Sequence, residues 1–304
     1  VTELPEGVSK DYPLERLTTV RTGGPADYFA RPDSNERVVE LLKWSETLDI
    51  AVGVIGSGSN LLIADLGFRG IVIKLDGHLS EIAFDGTGVL CGGGARLPKV
   101  AASSAEQGLS GLEFGVNIPG TVGGAIRMNA NAYGGELASV LEWAEVASPA
   151  GIERRTPEDF EFTYRHSNIK GRQIVTRAQF ALTQSDPQSV KTKLADLRDR
   201  RREAQPGGIK TFGSTFKNPG DPRAEGRSAG QLLEAAGCKG LEVGGARFSP
   251  KHANFVDNRG EATTQDVIGL IAEGRRRVEE KFGITLETEV QVLGDVDPRL
   301  WKVA

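Results

Sequence analysis

The chain has 304 residues, with 37 Lys and Arg against 41 Asp and Glu, a formal net charge of −4, and 39 glycines, about 13% of the chain and roughly twice ordinary usage. The glycines keep no three-residue period and Val, Ile and Leu recur in blocks, which excludes collagen and disorder and leaves a folded protein whose backbone turns tightly or approaches something closely. Near-balanced charge gives no reason to expect nucleic acid or an anionic membrane as partner, and two distant cysteines, Cys91 and Cys238, suggest neither a disulfide framework nor a zinc site.

At this length two domains are expected. No apolar run reaches the roughly 20 residues of a membrane helix, and the N-terminal stretch lacks the basic and apolar regions of a signal peptide, so a soluble, cytoplasmic protein is expected. Over residues 17–182, short β-branched runs at 51–55, 71–75, 88–91 and 174–182 alternate with glycine clusters. Helical patterns are few there. Residues 34–48 carry Val38, Val39, Leu41, Leu42 and Trp44 behind the capping candidates Asp33 and Ser34, and 98–107 opens with proline and stops at Gly108. The region reads as mixed α+β.

From 186 to 204, Val190, Leu194 and Leu197 line one face of a helix that is expected to open the second domain. Arg198, Arg200, Arg201 and Arg202 crowd its end, as a solvated face helped by the helix dipole or as a ligand patch. A loop over 205–213 comes next, then a helix near 229–236 ended by Gly237. The last long helix starts at Thr263-Thr264-Gln265-Asp266, a capping-box pattern, and runs to Phe282 before Gly283. Residues 284–293 alternate like a strand.

Residues 91–140 hold 11 glycines, densest over 115–125. Such a loop offers successive backbone N–H groups to a phosphate or pyrophosphate; the plainer alternative is a set of tight turns between short strands. A second cluster, Gly56-Ser57-Gly58-Ser59-Asn60-Leu61, begins like a dinucleotide fingerprint but has Leu61 at the third glycine position. Leu61, Leu62 and Ile63 read as strand, not helix. A Rossmann site therefore fits poorly, and the absence of G-x-x-x-x-G-K-[ST] argues against a P-loop, which leaves open a diphosphate cofactor on a different glycine architecture.

Seven blocks occur in order: Arg21-Thr22-Gly23-Gly24-Pro25-Ala26-Asp27, the 56–62 segment, 115–125 with 129–134, Tyr164-Arg165, Gly213-Ser214-Thr215-Phe216-Lys217-Asn218-Pro219, Lys251-His252-Ala253-Asn254-Phe255 and Leu286-Glu287-Thr288-Glu289-Val290. Together they resemble the UDP-N-acetylenolpyruvoylglucosamine reductase family, the MurB flavoenzymes of peptidoglycan synthesis, over about residues 15–293. The resemblance implies an α+β fold: a vanillyl-alcohol-oxidase-type FAD-binding domain of two subdomains (1–185) and a smaller C-terminal α+β substrate domain (186–304). It implies non-covalent FAD, NADPH as co-substrate, and reduction of UDP-N-acetylglucosamine enolpyruvate to UDP-N-acetylmuramate, by a cytoplasmic enzyme that works as a monomer.

On matching positions the resemblance implies that Gly56, Ser57, Gly58, Ser59, Asn60 and Leu61, with Asn117, Ile118, Pro119, Gly120, Thr121, Gly123, Gly124 and Ala125, hold the FAD diphosphate and flank its ring. Tyr133 would sit near the ring and the substrate. Lys217, Asn218 and His252 would meet the UDP-sugar. Arg165 would clamp the substrate carboxylate, Ser214 would donate the proton, and a protonated Glu289 would help to stabilise the enolate. No metal is implied, and His78 and His166 read as structural. Taken singly, Arg165 also reads as a surface ion-pair residue, Ser214 as a turn residue, Glu289 as the exposed face of a strand and His252 as a capping histidine.

The chain departs from the family pattern where Ala204 replaces a lysine that would help hold a diphosphate, leaving Lys210 or one of Arg200, Arg201 and Arg202 as substitute. It also lacks the tyrosine-bearing insertion of one branch, which places it in the compact branch, and Thr211-Phe212 precede Gly213 where small residues are commoner. A flavin oxidase of the same domain type and a nucleotide-sugar binding protein without chemistry are the competing readings.

Overall fold

The structure, a computed structural model, describes residues 3–207 and 210–301, so Gly208 and Ile209 of the expected 205–213 loop lie outside the described residues. The chain divides into two compact units, each assembled from separated stretches. The first comprises the residues up to Tyr12, Asp27–Ser57 and Arg69–Arg201; the second comprises Pro13–Ala26, Gly58–Phe68 and the residues from Arg202 on.

In the first unit, helix α1 (Asn35–Thr47) begins where Ser34 accepts a hydrogen bond from the Arg37 N–H, and buries Val38, Leu41, Leu42 and Trp44. That face packs on Ile71 and Ile73 of a four-stranded sheet ordered 8–13, 25–30, 68–73, 51–54. Strand Ala51–Val54 runs parallel to Phe68–Ile73, with Ala51 opposite Gly70, and the latter starts three residues before the expected run. A five-stranded sheet, ordered 151–155, 141–148, 174–181, 88–92, 82–85, pairs antiparallel throughout. Its Val89, Cys91, Ala144, Val146, Ala178 and Phe180 share a core with Val122 and Ile126. Burial pushes the Cys91 thiol up to about 12, so it stays a neutral core group.

Helix α2 (Leu97–Glu106) has its proline in the first turn, as the punctuation predicts. The glycine segment 115–125 is not the loop expected from its composition. A 3₁₀ turn spans Glu113–Asn117, and a short helix α3 covers Val122–Arg127. Val122, Ala125 and Ile126, at helical spacing, are its buried face. Helix α4 (Pro187–Ala204) sets Val190, Leu194 and Leu197 against Ala101, Ala105 and Val116. The division between the units falls in its last turn, between Arg201 and Arg202.

The second unit contains α5 (Ala229–Ala235), α6 (Thr264–Phe282), α7 (Pro298–Trp301) and an antiparallel sheet ordered 211–213, 255–258, 246–248, 242–243. The Thr263–Asp266 capping box is formed, and Gly283 ends α6 in the left-handed region at φ +66°. Val20 and Leu62 sit in this unit's core with Phe248, Val267 and Leu270, which explains why two early stretches belong to it. Strand Leu61–Ile63 pairs in parallel with Gln291–Leu293. The expected strand over 284–293 is ladder only there. Upstream, Ile284 and Leu286 enter the core and Thr288 makes an isolated bridge to Phe216.

Candidate active site

In the first unit the two glycine segments meet. A Cβ on Gly56 would lie 2.4 Å from Thr121 Oγ1, so only glycine lets the backbone come this close. Thr121 in turn accepts from the Gly124 N–H and caps α3. The N–H groups of Val122 and Gly123 go to the carbonyls of Ala95 and Gly93 at 2.8 Å each, and Leu97 N–H goes to the Gly120 carbonyl at 3.0 Å. The segment 120–124 is thus a fixed surface laid against 93–97. At the first cluster, the Lys74 ammonium donates to the Gly56 carbonyl, and burial, followed by the Arg31 charge, lowers the Lys74 pKa. The Ser57 N–H has no hydrogen-bond partner among the described residues, which leaves a donor beside a cation. A close-approach cradle with an unused backbone donor fits a diphosphate.

Asn117 is buried, and its side-chain amide donates to the Leu197 carbonyl of α4 at 2.7 Å. Its side chain fastens the helix. Ile118 packs partly buried against the core, while Pro119 is exposed. Tyr133, 46% exposed at φ +50°, forms with Gly134 the two-residue turn between strands Asn131–Ala132 and Gly135–Glu136. Burial lowers the pKa of the half-buried Arg201, and the Tyr133 side chain opposes that shift electrostatically. Arg201, one of the residues weighed as substitutes for the absent lysine, thus lies within electrostatic reach of this hairpin.

Arg165 sits in a four-residue turn closed by reciprocal bonds between Thr163 and His166, at 3.2 and 3.1 Å. It lies at φ +56°, with its guanidinium 5.1 Å from the Tyr164 ring centroid. Just after the turn, Ser167 Oγ donates to the Arg127 carbonyl at 2.7 Å and Arg127 reaches the Ile169 carbonyl at 3.0 Å, so the turn is docked on the end of α3.

The second unit brings Ser214 and Glu289 onto neighbouring segments. Ser214, at φ +53°, follows strand Thr211–Gly213, and a Cβ on Gly213 would lie 2.0 Å from the Phe255 ring. Beyond it, Glu289 N–H donates to the Thr215 carbonyl at 2.9 Å and Lys217 N–H to the Glu287 carbonyl at 2.9 Å. Glu289 is only 8% exposed, which sets aside its reading as the exposed face of a strand. The Asn60 amide donates to the Glu289 carbonyl at 3.2 Å, beside the Gln291 N–H that bonds the Asn60 carbonyl. Gly58 opens this unit's stretch at φ +65°, with an added Cβ 2.0 Å from the Leu17 carbonyl; Ser59 precedes Asn60, and Leu61 starts the strand.

Lys217 pairs with Glu287 at 3.3 Å, and Asn218 Oδ1 accepts from the Ala229 N–H at 3.0 Å, at the start of α5. His252 lies edge-on to Phe255, accepts from the Asn254 N–H at its Nδ1, and is held neutral by burial, which lowers its pKa. Asn254, buried and not singled out from the sequence, exchanges bonds of 2.9 Å in both directions with the Phe216 backbone, while Thr215 Oγ1 donates to its carbonyl at 3.0 Å. It sets the path of the chain through 214–216. Its place in the same block as His252 was the available signal. Among the described residues no group of three or more His, Cys, Asp or Glu side chains is placed to hold a metal, and no helix is long and apolar enough to cross a membrane.

The sequence profile described as UDP-N-acetylenolpyruvoylglucosamine reductase, C-terminal domain, matches residues 205–293, and that described as FAD binding domain matches residues 26–156. The reductase of that name from Agathobacter rectalis is 44% identical, covering 96% of each chain, and that from Geobacillus thermodenitrificans is 41% identical over 95% of this chain and 94% of its own. The crystal structure of UDP-N-acetylenolpyruvylglucosamine reductase (MurB) from Thermus caldophilus superposes with a TM-score of 0.79 at 36% identity, covering 92% of this chain and 97% of that one. The chain belongs to the UDP-N-acetylenolpyruvoylglucosamine reductase family.

Proposed function

We propose that this chain reduces UDP-N-acetylglucosamine enolpyruvate to UDP-N-acetylmuramate, using bound FAD and NADPH, as a monomer in the cytoplasm. The observation that carries the reading is that the second unit sets a buried Glu289 beside the left-handed Ser214, the Glu289 N–H donating to the carbonyl of the next residue, Thr215, inside the segment that matches the family's C-terminal domain. Gly56, Ser57 and the fixed surface at 120–124, with Gly58, Ser59, Asn60 and Leu61 after them, would hold the FAD diphosphate and ring. When bound, FAD would supply the two-electron chemistry that links NADPH to the vinyl ether.

The chain's own groups handle the charge that results. As the C–H bond forms at the methylene, the vinyl π electrons move onto the adjacent carbon and its carboxylate. Arg165 meets that carboxylate with its planar fork, and a protonated Glu289 donates to the enolate oxygen. The Ser214 hydroxyl delivers its proton to the carbon and is reprotonated from solvent. Lys217, Asn218, His252 and Arg201 hold the nucleotide sugar. In anaerobic half-reactions, Arg165→Met should slow reoxidation by the enolpyruvyl substrate and spare reduction by NADPH. Equal loss in both halves would remove the arginine's assigned role.

A further inference from the structure

We propose that Asn129 is a positioning residue whose buried amide holds in place both the turn that carries Arg165 and the hairpin that carries Tyr133. The proposal rests on the roles given to those two residues above. Asn129 follows α3 closely, is 1% exposed, and stands at φ +39°. Its Nδ2 donates to Glu136 Oε1 at 2.7 Å and to the Thr163 carbonyl at 3.2 Å. Glu136 ends the strand that leaves the Tyr133–Gly134 turn, and Thr163 begins the turn whose third residue is Arg165.

Both partners are acceptors, so the amide nitrogen must face them and Oδ1 cannot. A carboxylate at this position would serve neither partner and would repel Glu136. The arrangement leaves Asn129 Oδ1 buried without a hydrogen-bond partner among the described residues, so both donor capacities are spent on the two turns. Tyr133 and Arg165 are both non-glycine residues in the left-handed region, a conformation that persists only where the surroundings hold it. One side chain in the first unit supplies part of that hold for both.

The test uses Asn129→Asp, which keeps the volume and the tolerance of positive φ while removing both donors, and Asn129→Gly, which removes the side chain without backbone strain. Each is compared with Arg165→Met and with the double variant, as the FAD-loaded protein under anaerobic conditions. Asn129→Asp is expected to keep its flavin and be reduced by NADPH near the parent rate, while reoxidation by UDP-N-acetylglucosamine enolpyruvate falls roughly 100-fold, the penalty of a misplaced clamp. Calorimetric binding of that substrate to the oxidised protein should weaken about tenfold or more. On an Arg165→Met background the same substitution should cost clearly less than on the parent, since the part of its effect that acts through the arginine is already lost and only the Tyr133 part remains.

Effects that multiply fully in the double variant, or parent-like reoxidation in both Asn129 variants while Arg165→Met is slow, would overturn the proposal and leave the function standing. Parent-like reoxidation in Arg165→Met would remove the arginine's role and this proposal with it. Should Asn129→Asp fail to fold, Asn129→Gly carries the same comparison.

Discussion

The two units hold their candidate residues by the same two devices, close glycine approach and buried amides, placed at different points. In the first, backbone meets backbone or a short side chain: added Cβ atoms would lie 2.4 Å from Thr121 Oγ1 at Gly56 and 2.1 Å from the Val175 carbonyl at Gly93. In the second, Gly58 and Gly213 approach as closely, and buried amides and hydroxyls also set the path: Asn254 on Phe216, Thr215 on Asn254, Asn258 on Val20. Gly220 of that unit has nothing within 4 Å of an added Cβ. The glycine excess is therefore two populations, one for close approach and one for turning or ending elements.

Chemistry and stability should then answer to different residues. The largest effect is expected at Ser214. Ser214→Ala should leave reduction by NADPH nearly intact and slow the second half-reaction roughly 100- to 10,000-fold in anaerobic stopped flow, the range of a lost general acid. Equal slowing of both halves would make Ser214 structural and blur the contrast.

Stability should separate the glycines. Gly93→Ala forces a methyl group against the Val175 carbonyl and should cost about 1–3 kcal/mol by denaturant titration. Gly220→Ala, in open space and without positive φ, should fall within about 0.5 kcal/mol of the parent. Comparable losses at both positions would end the division of the glycines into two populations. In the second unit, Asn254→Ala strands the buried Phe216 N–H and should cost about 1–3 kcal/mol, with slower turnover because the path through Ser214 relaxes.

The smallest effect is a pH dependence. Burial holds His252 below its ordinary value of 6.5, so the unfolded chain binds more protons there and stability rises with pH. The contribution is complete above 6.5 and is lost as pH falls from there toward the lowered folded-state value. Melting curves of His252→Gln should show a shallower fall in that window than the parent. An unchanged slope would mean that the ring is not held neutral.

Much of the fold was legible because it is written locally. Ser34, Pro98, the Thr263–Asp266 box and Gly283 each mark a helix end with chemistry that acts within four residues. The α3 helix was hidden by its glycines, although Val122, Ala125 and Ile126 carried its spacing; what makes it helical is the Thr121 cap and the burial of that face. The run over 284–293 alternates, yet its middle pairs with Phe216 and its end with Leu61, partners far away in the chain. Asn254 and Asn129 were missed for the same reason, since their hydrogen bonds span 38 and 34 residues. The site residues themselves came from ordered motif blocks, and their left-handed backbones at Tyr133, Arg165 and Ser214 leave no trace in sequence.

The central claim is that this chain passes hydride from NADPH through flavin to an enolpyruvyl ether. Anaerobic mixing of the yellow protein with NADPH, followed by UDP-N-acetylglucosamine enolpyruvate, tests it directly. Flavin colour should be lost on the first addition and return on the second, with one UDP-N-acetylmuramate formed per flavin. Colour that returns only with oxygen would contradict the claim in favour of an oxidase, and a colourless protein that cannot be reconstituted with FAD would contradict it outright.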